Sequence, residues 1–139
     1  MPNSKNSEIV FDLYKLQTKL LKRLDQALMV HGISVTEFMV MHHLNNCVNS
    51  NMRRIDLAER IGLSASGVTR LLNPMQKIGL VQKEESVRDA RVSLVTLTNT
   101  GQALYNDAQK SYEQFADSYL SALTKQQTAA LTGIIQKLL

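Results

Sequence analysis

A chain of 139 residues is long enough to bury a genuine core and short enough to form one domain. Its 44% apolar and 20% charged residues exclude a disordered polymer. Its first helical pattern, broken by Glu8, Asp12, Lys15 and Lys19, leaves no apolar run for a secretion signal or membrane span.

The net charge is +4, of which residues 52–101 carry +3. Cys47 is the single cysteine, so no internal disulfide is possible and the cytoplasm is the expected location. Residues 1–7 are polar and expected to fray. From Glu8 onward Ile9, Leu13, Leu16, Leu20, Leu24 and Leu28 recur at steps of three and four, which predicts a helix ended by His31-Gly32. Val10, Leu21 and Ala27 widen this stripe beyond a single packing face, so the helix should meet more than one element. Ser34 and Glu37 form a capping box, with Ile33 and Phe38 as the apolar residues on either side, and open a second helix to about Asn45. A polar loop then leads to Met52-Arg53, a candidate short strand.

The segment from Leu57 to Leu72 carries the strongest signal. Leu57, Ala58 and Ile61 give one short helix an apolar face, and Val68, Leu71 and Leu72 do the same for the next. Gly62 stands where the first must stop, at a position that favours positive φ, and Ser64 can cap the second through its hydroxyl. Ser66, Thr69, Arg70 and Asn73 share the polar side of that second helix. Small hydrogen-bonding residues and an Arg near a helix N-terminus suit phosphates and base edges, so residues 54–78 read as a helix-turn-helix. Pro74 removes the bond to the Arg70 carbonyl and predicts a kink, leaving Ala65 to Asn73 as the half that enters a groove.

Beyond Gly79 the residues 80–84 and 92–97 are β-prone, and the charged, turn-like segment 85–91 separates them. Two antiparallel strands after a helix-turn-helix make a wing. Thr98 caps a long helix from about Asn99 to Leu120, with Leu104, Ala108, Tyr112, Phe115, Tyr119 and Leu123 as its expected buried face. Thr124 and Gln127 form a second capping box for a final helix carrying Leu131, Ile134, Ile135 and Leu138. The fold class expected is mainly α with a small β-hairpin wing.

In this order the elements resemble the MarR family of bacterial transcriptional regulators, over about Glu8 to Leu139. The resemblance is carried by Leu57-Ala58, Gly62-Leu63-Ser64, Val68-Thr69-Arg70-Leu71 and Gly79-Leu80-Val81. It extends through the wing signature Asp89-Ala90-Arg91 and Leu97-Thr98-Asn99-Thr100-Gly101. It implies a single domain over 1–139, with a winged helix-turn-helix region at 34–98 and dimerisation helices at 8–31 and 99–139. It further implies a homodimer on double-stranded DNA, reading pseudopalindromic operators with recognition helices in major grooves and wings in flanking minor grooves. A repressor relieved by a small ligand is the function expected.

On this reading the major-groove set is Ser66, Thr69, Arg70 and Asn73, and Ser64 serves chiefly as a cap beside a phosphate. Arg91 and Arg88 compete for the minor groove, with Asp89 as the partner that orients the wing arginine. Arg53, Arg54 and Lys77 are equally phosphate contacts or ordinary surface charge. The resemblance also implies a crevice for a small aromatic or phenolic effector, which Met39, His42, His43, Tyr105 and Tyr112 could line. The competing reading of that tyrosine spacing is core or dimer contact.

Metal, redox and enzymatic readings are weaker. His42 and His43 are adjacent and point about 100° apart on a helix, and the long fifth helix has no His or Cys, so a four-ligand set is hard to assemble with His31 and Cys47. Cys47 has no Lys or Arg nearby in sequence to activate it as a sensor. No paired carboxylates, Ser-His-Asp set or phosphate loop is present, so neither an enzyme nor a cofactor is expected. The alternative function is a winged helix used for protein interaction without operator binding.

Overall fold

The computed structural model describes residues 4–89 and 91–139. Residues 1–3 of the expected frayed end, and Ala90 of the wing signature, lie outside the described residues. Fraying does not extend to residues 4–7. Ser4 accepts the Ser7 amide at 3.0 Å and caps helix α1, which begins at Lys5 and runs over Lys5–Leu28. The apolar stripe starts only at Ile9, so periodicity misses the first turn, which the cap itself stabilises.

A short 3-10 turn, Met29–His31, follows α1 and ends on Gly32 at φ 72°. Helix α2, Val35–Asn45, opens with both halves of the Ser34–Glu37 capping box in place. Met52 and Arg53 do form a strand, β1 (Asn51–Arg53), which runs straight into helix α3, Arg54–Ile61. Gly62 at φ 71° closes α3, and Ser64 caps helix α4, Ala65–Lys77, by accepting the Gly67 amide at 3.1 Å. Pro74 does not end α4: the helix remains continuous to Lys77, and the Pro74 carbonyl accepts the Ile78 amide.

Strands β2 (Val81–Glu85) and β3 (Ser93–Leu97) pair antiparallel from Val81 against Leu97 to Glu85 against Ser93. Strand β1 pairs with the other edge of β3, Met52 opposite Val95, so the wing hairpin becomes a three-stranded sheet in the order β1-β3-β2. Val95 thereby lies centrally and is buried together with Met52 and Val81. Helix α5, Asn99–Tyr119, is capped by Thr98, and helix α6, Lys125–Leu138, by the Thr124–Gln127 box.

One core joins Leu24 and Leu28 of α1, Phe38, Val40, Met41 and Leu44 of α2, Leu57 of α3, and Val68, Leu72 and Met75 of α4. The buried face of α5 is shifted from the expected one. Tyr105 and Ala108 are buried with Gly101, whereas Leu104, Tyr112 and Phe115 pack only partly, and Tyr119 and Leu123 face an apolar cleft against Leu16 and α6.

The rest of the expected packing is unfilled within one chain. Over its 24 residues α1 buries only Leu24 and Leu28, and α6 buries none. Ile9, Leu13 and Leu16 are about half exposed. The wide stripe seen in the sequence therefore meets both α5 and α2 within its own chain and is otherwise largely open. Among the described residues no helix is long and apolar enough to cross a membrane.

Candidate nucleic-acid interface

Helix α4 buries Val68, Leu72 and Met75 and so turns the opposite face outward, with Ser66, Arg70 and Asn73 exposed and Thr69 half-buried. These positions recur at three to four residues, which places them on one side of the helix. Arg70 and Asn73 are engaged by no hydrogen bond or ion pair among the described residues. Ser64 accepts the Gly67 amide and lies 3.2 Å from the Ser66 hydroxyl, so its oxygen is committed to the cap.

Thr69 is held more closely. Its hydroxyl donates to the Ala65 carbonyl at 3.1 Å and accepts from Arg54 Nη1 at 3.0 Å. Arg54 is thus not an unengaged surface charge. It bridges the first residue of α3 to the outward face of α4, and its Nε is buried without a partner. An unsatisfied buried donor costs about 1–3 kcal/mol. Sequence reasoning missed this bridge, and the only local signal was the doublet Arg53-Arg54 at a helix start.

Arg53, the last residue of β1, is paired with the first turn of α3. It forks onto Asp56 at 2.8 and 3.0 Å, and that hydrogen bond holds the Asp56 carboxyl below its ordinary range. In the wing, Arg91 donates from Nε and Nη2 to Asp89 at 3.2 and 3.3 Å, and its own amide donates to Asp89 at 3.0 Å. The Arg91 side-chain and backbone donors hold the Asp89 carboxyl below its usual value. The pair is therefore intact at neutral pH and opens only as pH falls through that lowered value. Arg88 is exposed, and its amide donates to the Ser86 hydroxyl. Arg53, Arg54 and Arg91 line one shallow cleft where the start of α3 meets the wing.

Of the residues suggested for an effector crevice, His42, Tyr105 and Tyr112 meet around Phe38 at the α2–α5 contact. Phe38 stacks on Tyr105 and Tyr112, with ring centroids 5.4 and 5.0 Å apart. The Tyr105 hydroxyl shares a 2.9 Å hydrogen bond with His42 Nδ1. Tyr105 is 1% exposed, and burial, then Glu113 and Tyr112, raise its pKa, so it remains a neutral phenol. Met39, His42, His43 and Tyr112 are half-buried. Burial, then His42 and Arg60, lower the His43 pKa. His31 meets Ser111 at 2.7 Å. Cys47 is half-buried in a cleft that also holds Asp56, Glu59 and Arg60, so a cation distant in sequence is present but between two carboxylates. Among the described residues no three His, Cys, Asp or Glu side chains are grouped to hold a metal ion.

A helix-turn-helix with an outward polar face, backed by a three-stranded wing, defines a winged helix. Residues 31–92 match the family model described as MarR family. Over that winged-helix stretch the chain is similar to the MarR family of transcriptional regulators. It is 27% identical over 124 residues to the transcriptional repressor MprA of Escherichia coli (strain K12), covering 89% of this chain and 70% of that protein. A mutant MarR from E. coli complexed with operator DNA shares the fold with a TM-score of 0.86 at 20% identity, over 99% of both chains. The organohalide-sensing regulator RdhR in its 2,4-dichlorophenol-bound form has a TM-score of 0.86 at 17% identity, over 99% of this chain and 84% of that one.

Proposed function

We propose that the protein is a homodimer that binds double-stranded DNA at pseudopalindromic operators, acts as a repressor, and is released by a small aromatic or phenolic ligand. The observation that carries this reading is the face of α4, which leaves Arg70 and Asn73 exposed and uncommitted beside Ser66 and Thr69. Arg70 can pair bidentately with guanine in a major groove, while the Asp89–Arg91 fork presents a fixed cation to the adjoining minor groove. Two such units, related by a two-fold axis, match an inverted repeat. The complex of a fold relative with operator DNA supports the DNA partner, and the dichlorophenol-bound relative supports an effector of that class. In this chain the effector would act near His42, Tyr105 and Tyr112, where α2 meets α5, with Met39 and His43 as further candidates on α2. It needs only to bind better to a form in which the recognition helices are wrongly spaced.

Selection of duplexes from a random pool tests this. An enriched inverted repeat is the expected result, and recovery of no enriched sequence overturns the proposal. Arg70→Ala should then cost about 1–3 kcal/mol and relax one position of each half-site. Arg91→Ala should weaken binding about equally on all sequences and lower the slope of log K against log salt by about 1. Both variants binding duplexes as the parent does would favour a protein-interaction module instead.

A further inference from the structure

We propose that Asn73 is a specificity-determining residue that reads an adenine in the major groove, within about two base pairs of the guanine paired by Arg70. The inference rests on the reading of α4 as the recognition helix and adds which base one of its residues selects.

Asn73 is exposed on the outward face of α4, away from the buried Val68, Leu72 and Met75. Its side-chain amide joins no hydrogen bond among the described residues. Thr69, one turn earlier, is occupied by the Ala65 carbonyl and Arg54 and makes no claim on that amide. Asn is a poorer helix former than Ala, and Asn-Pro ordinarily opens a turn, yet Asn73-Pro74 stands inside α4. The structure gives Asn73 no task within the chain. Ser66 and Thr69 on the same face are small, so α4 can approach a groove floor closely enough for a short side chain to reach base edges.

A carboxamide carries an acceptor end and a donor end side by side. Turning it over exchanges the two ends but not their chemistry, so selection does not depend on which way the amide lies. In the major groove only adenine presents the matching pair, the N6 hydrogens beside the N7 lone pair. Guanine offers two acceptors, thymine an acceptor and a methyl group, and cytosine a donor alone, so each leaves one end of the amide without its partner. Arg70 lies three residues before Asn73, about 4.5 Å along a helix. Bases of one strand follow one another at about 3.4 Å, which brings the two side chains to base pairs no more than about two steps apart.

The experiment selects duplexes from a random pool with the parent, Arg70→Ala, Asn73→Ala, Asn73→Asp and Asn73→Gln. The position whose preference Asn73→Ala flattens is the one Asn73 faces, and Arg70→Ala marks the guanine in the same way. The first should be an A·T pair, favoured by the parent over the other pairs by about fivefold or more. Asn73→Gln carries the same carboxamide on a longer stem and should keep that adenine in part. Asn73→Asp only accepts and should move the preference toward cytosine. In the operator so found, 7-deazaadenine at that adenine removes the N7 lone pair alone. It should weaken binding by the parent about fivefold, the worth of one hydrogen bond, and leave binding by Asn73→Ala unchanged.

A flattened position that is a G·C pair overturns the proposal, as does a parent insensitive to 7-deazaadenine. So does an Asn73→Ala variant that loses affinity equally on all sequences, because Asn73 would then hold a phosphate. Marked positions farther apart than about two base pairs overturn it too. Ala and Gln are better helix formers than Asn, so these variants at an exposed position keep the fold. A parent that enriches no sequence removes the reading of α4 itself, whereas an enriched operator unaltered by Asn73→Ala removes this inference alone.

Discussion

Gly101→Ala should destabilise the fold by roughly 3 kcal/mol or more, at or beyond the upper end of what overpacking costs. A Cβ at Gly101 would stand 2.0 Å from the Leu80 carbonyl oxygen and 2.9 Å from its carbon, with Leu97 Cδ2 at 3.1 Å. Two of these three atoms are backbone and cannot step aside as a flexible side chain could. They are also pinned. The Leu80 carbonyl accepts the Thr98 amide at 3.1 Å, the Thr98 hydroxyl donates to the Gly79 carbonyl, and the Gly101 amide donates to that same hydroxyl at 3.0 Å. The first turn of α5 is thereby bonded onto the turn that ends α4. Helix propensity alone favours Ala over Gly by about 1 kcal/mol, so the sign of the result separates the two effects. Urea denaturation measures it: a variant as stable as the parent, or more so, would show that this approach is not tight. Because the junction joins α4 to α5, the helices proposed for recognition and dimerisation, a variant that still folds should also bind duplexes more weakly.

The Gly101 case shows where sequence reasoning reaches its limit. The pattern Leu97-Thr98-x-x-Gly101 is legible as a signature, but the need for glycine comes from Leu80, on a different element. What is encoded locally reads well. The Ser34–Glu37 and Thr124–Gln127 boxes, the Gly62 stop and the Ser64 cap each involve residues a few positions apart, and each is found where the spacing puts it. Long-range choices read poorly. Leu104 and Tyr105 both fit an apolar stripe, and only the way α2 lies against α5 decides that Tyr105 enters the core and Leu104 packs at its edge. Tyr105 also shows how a crevice candidate can be a core residue, joined to His42 by its hydroxyl. Likewise Arg54 reads as surface charge until α3 and α4 are set side by side and its guanidinium meets Thr69. The outward polar face of α4 was legible because burial of Val68, Leu72 and Met75 leaves Ser66, Arg70 and Asn73 only one direction to point.

Replacing both Ile9 and Leu13 by Glu should give a monomer and weaken binding to a full inverted repeat by about 10²- to 10⁴-fold, the range lost when two linked sites become separate ones. Ile9 and Leu13 are 51% and 46% exposed in the single chain, on a stretch of α1 that buries nothing before Leu24. Helix α6 is as open, with Ile134, Ile135 and Leu138 exposed. Apolar patches of this extent mark association surfaces, and both lie on the helices assigned to dimerisation. A buried Leu or Ile contributes about 1.5–3 kcal/mol, and a two-fold interface counts each substitution twice, so the double variant removes enough to dissociate the pair. The wing and recognition helix are untouched, and Glu is a good helix former, so each protomer should keep its fold. Half-site binding would then persist at the lower affinity of one recognition helix and one wing. Sedimentation and operator titration at matched salt provide the check. A variant that stays dimeric at micromolar concentration would move the interface elsewhere, and a monomer that binds the full repeat as tightly as the parent would remove pairing from the mechanism.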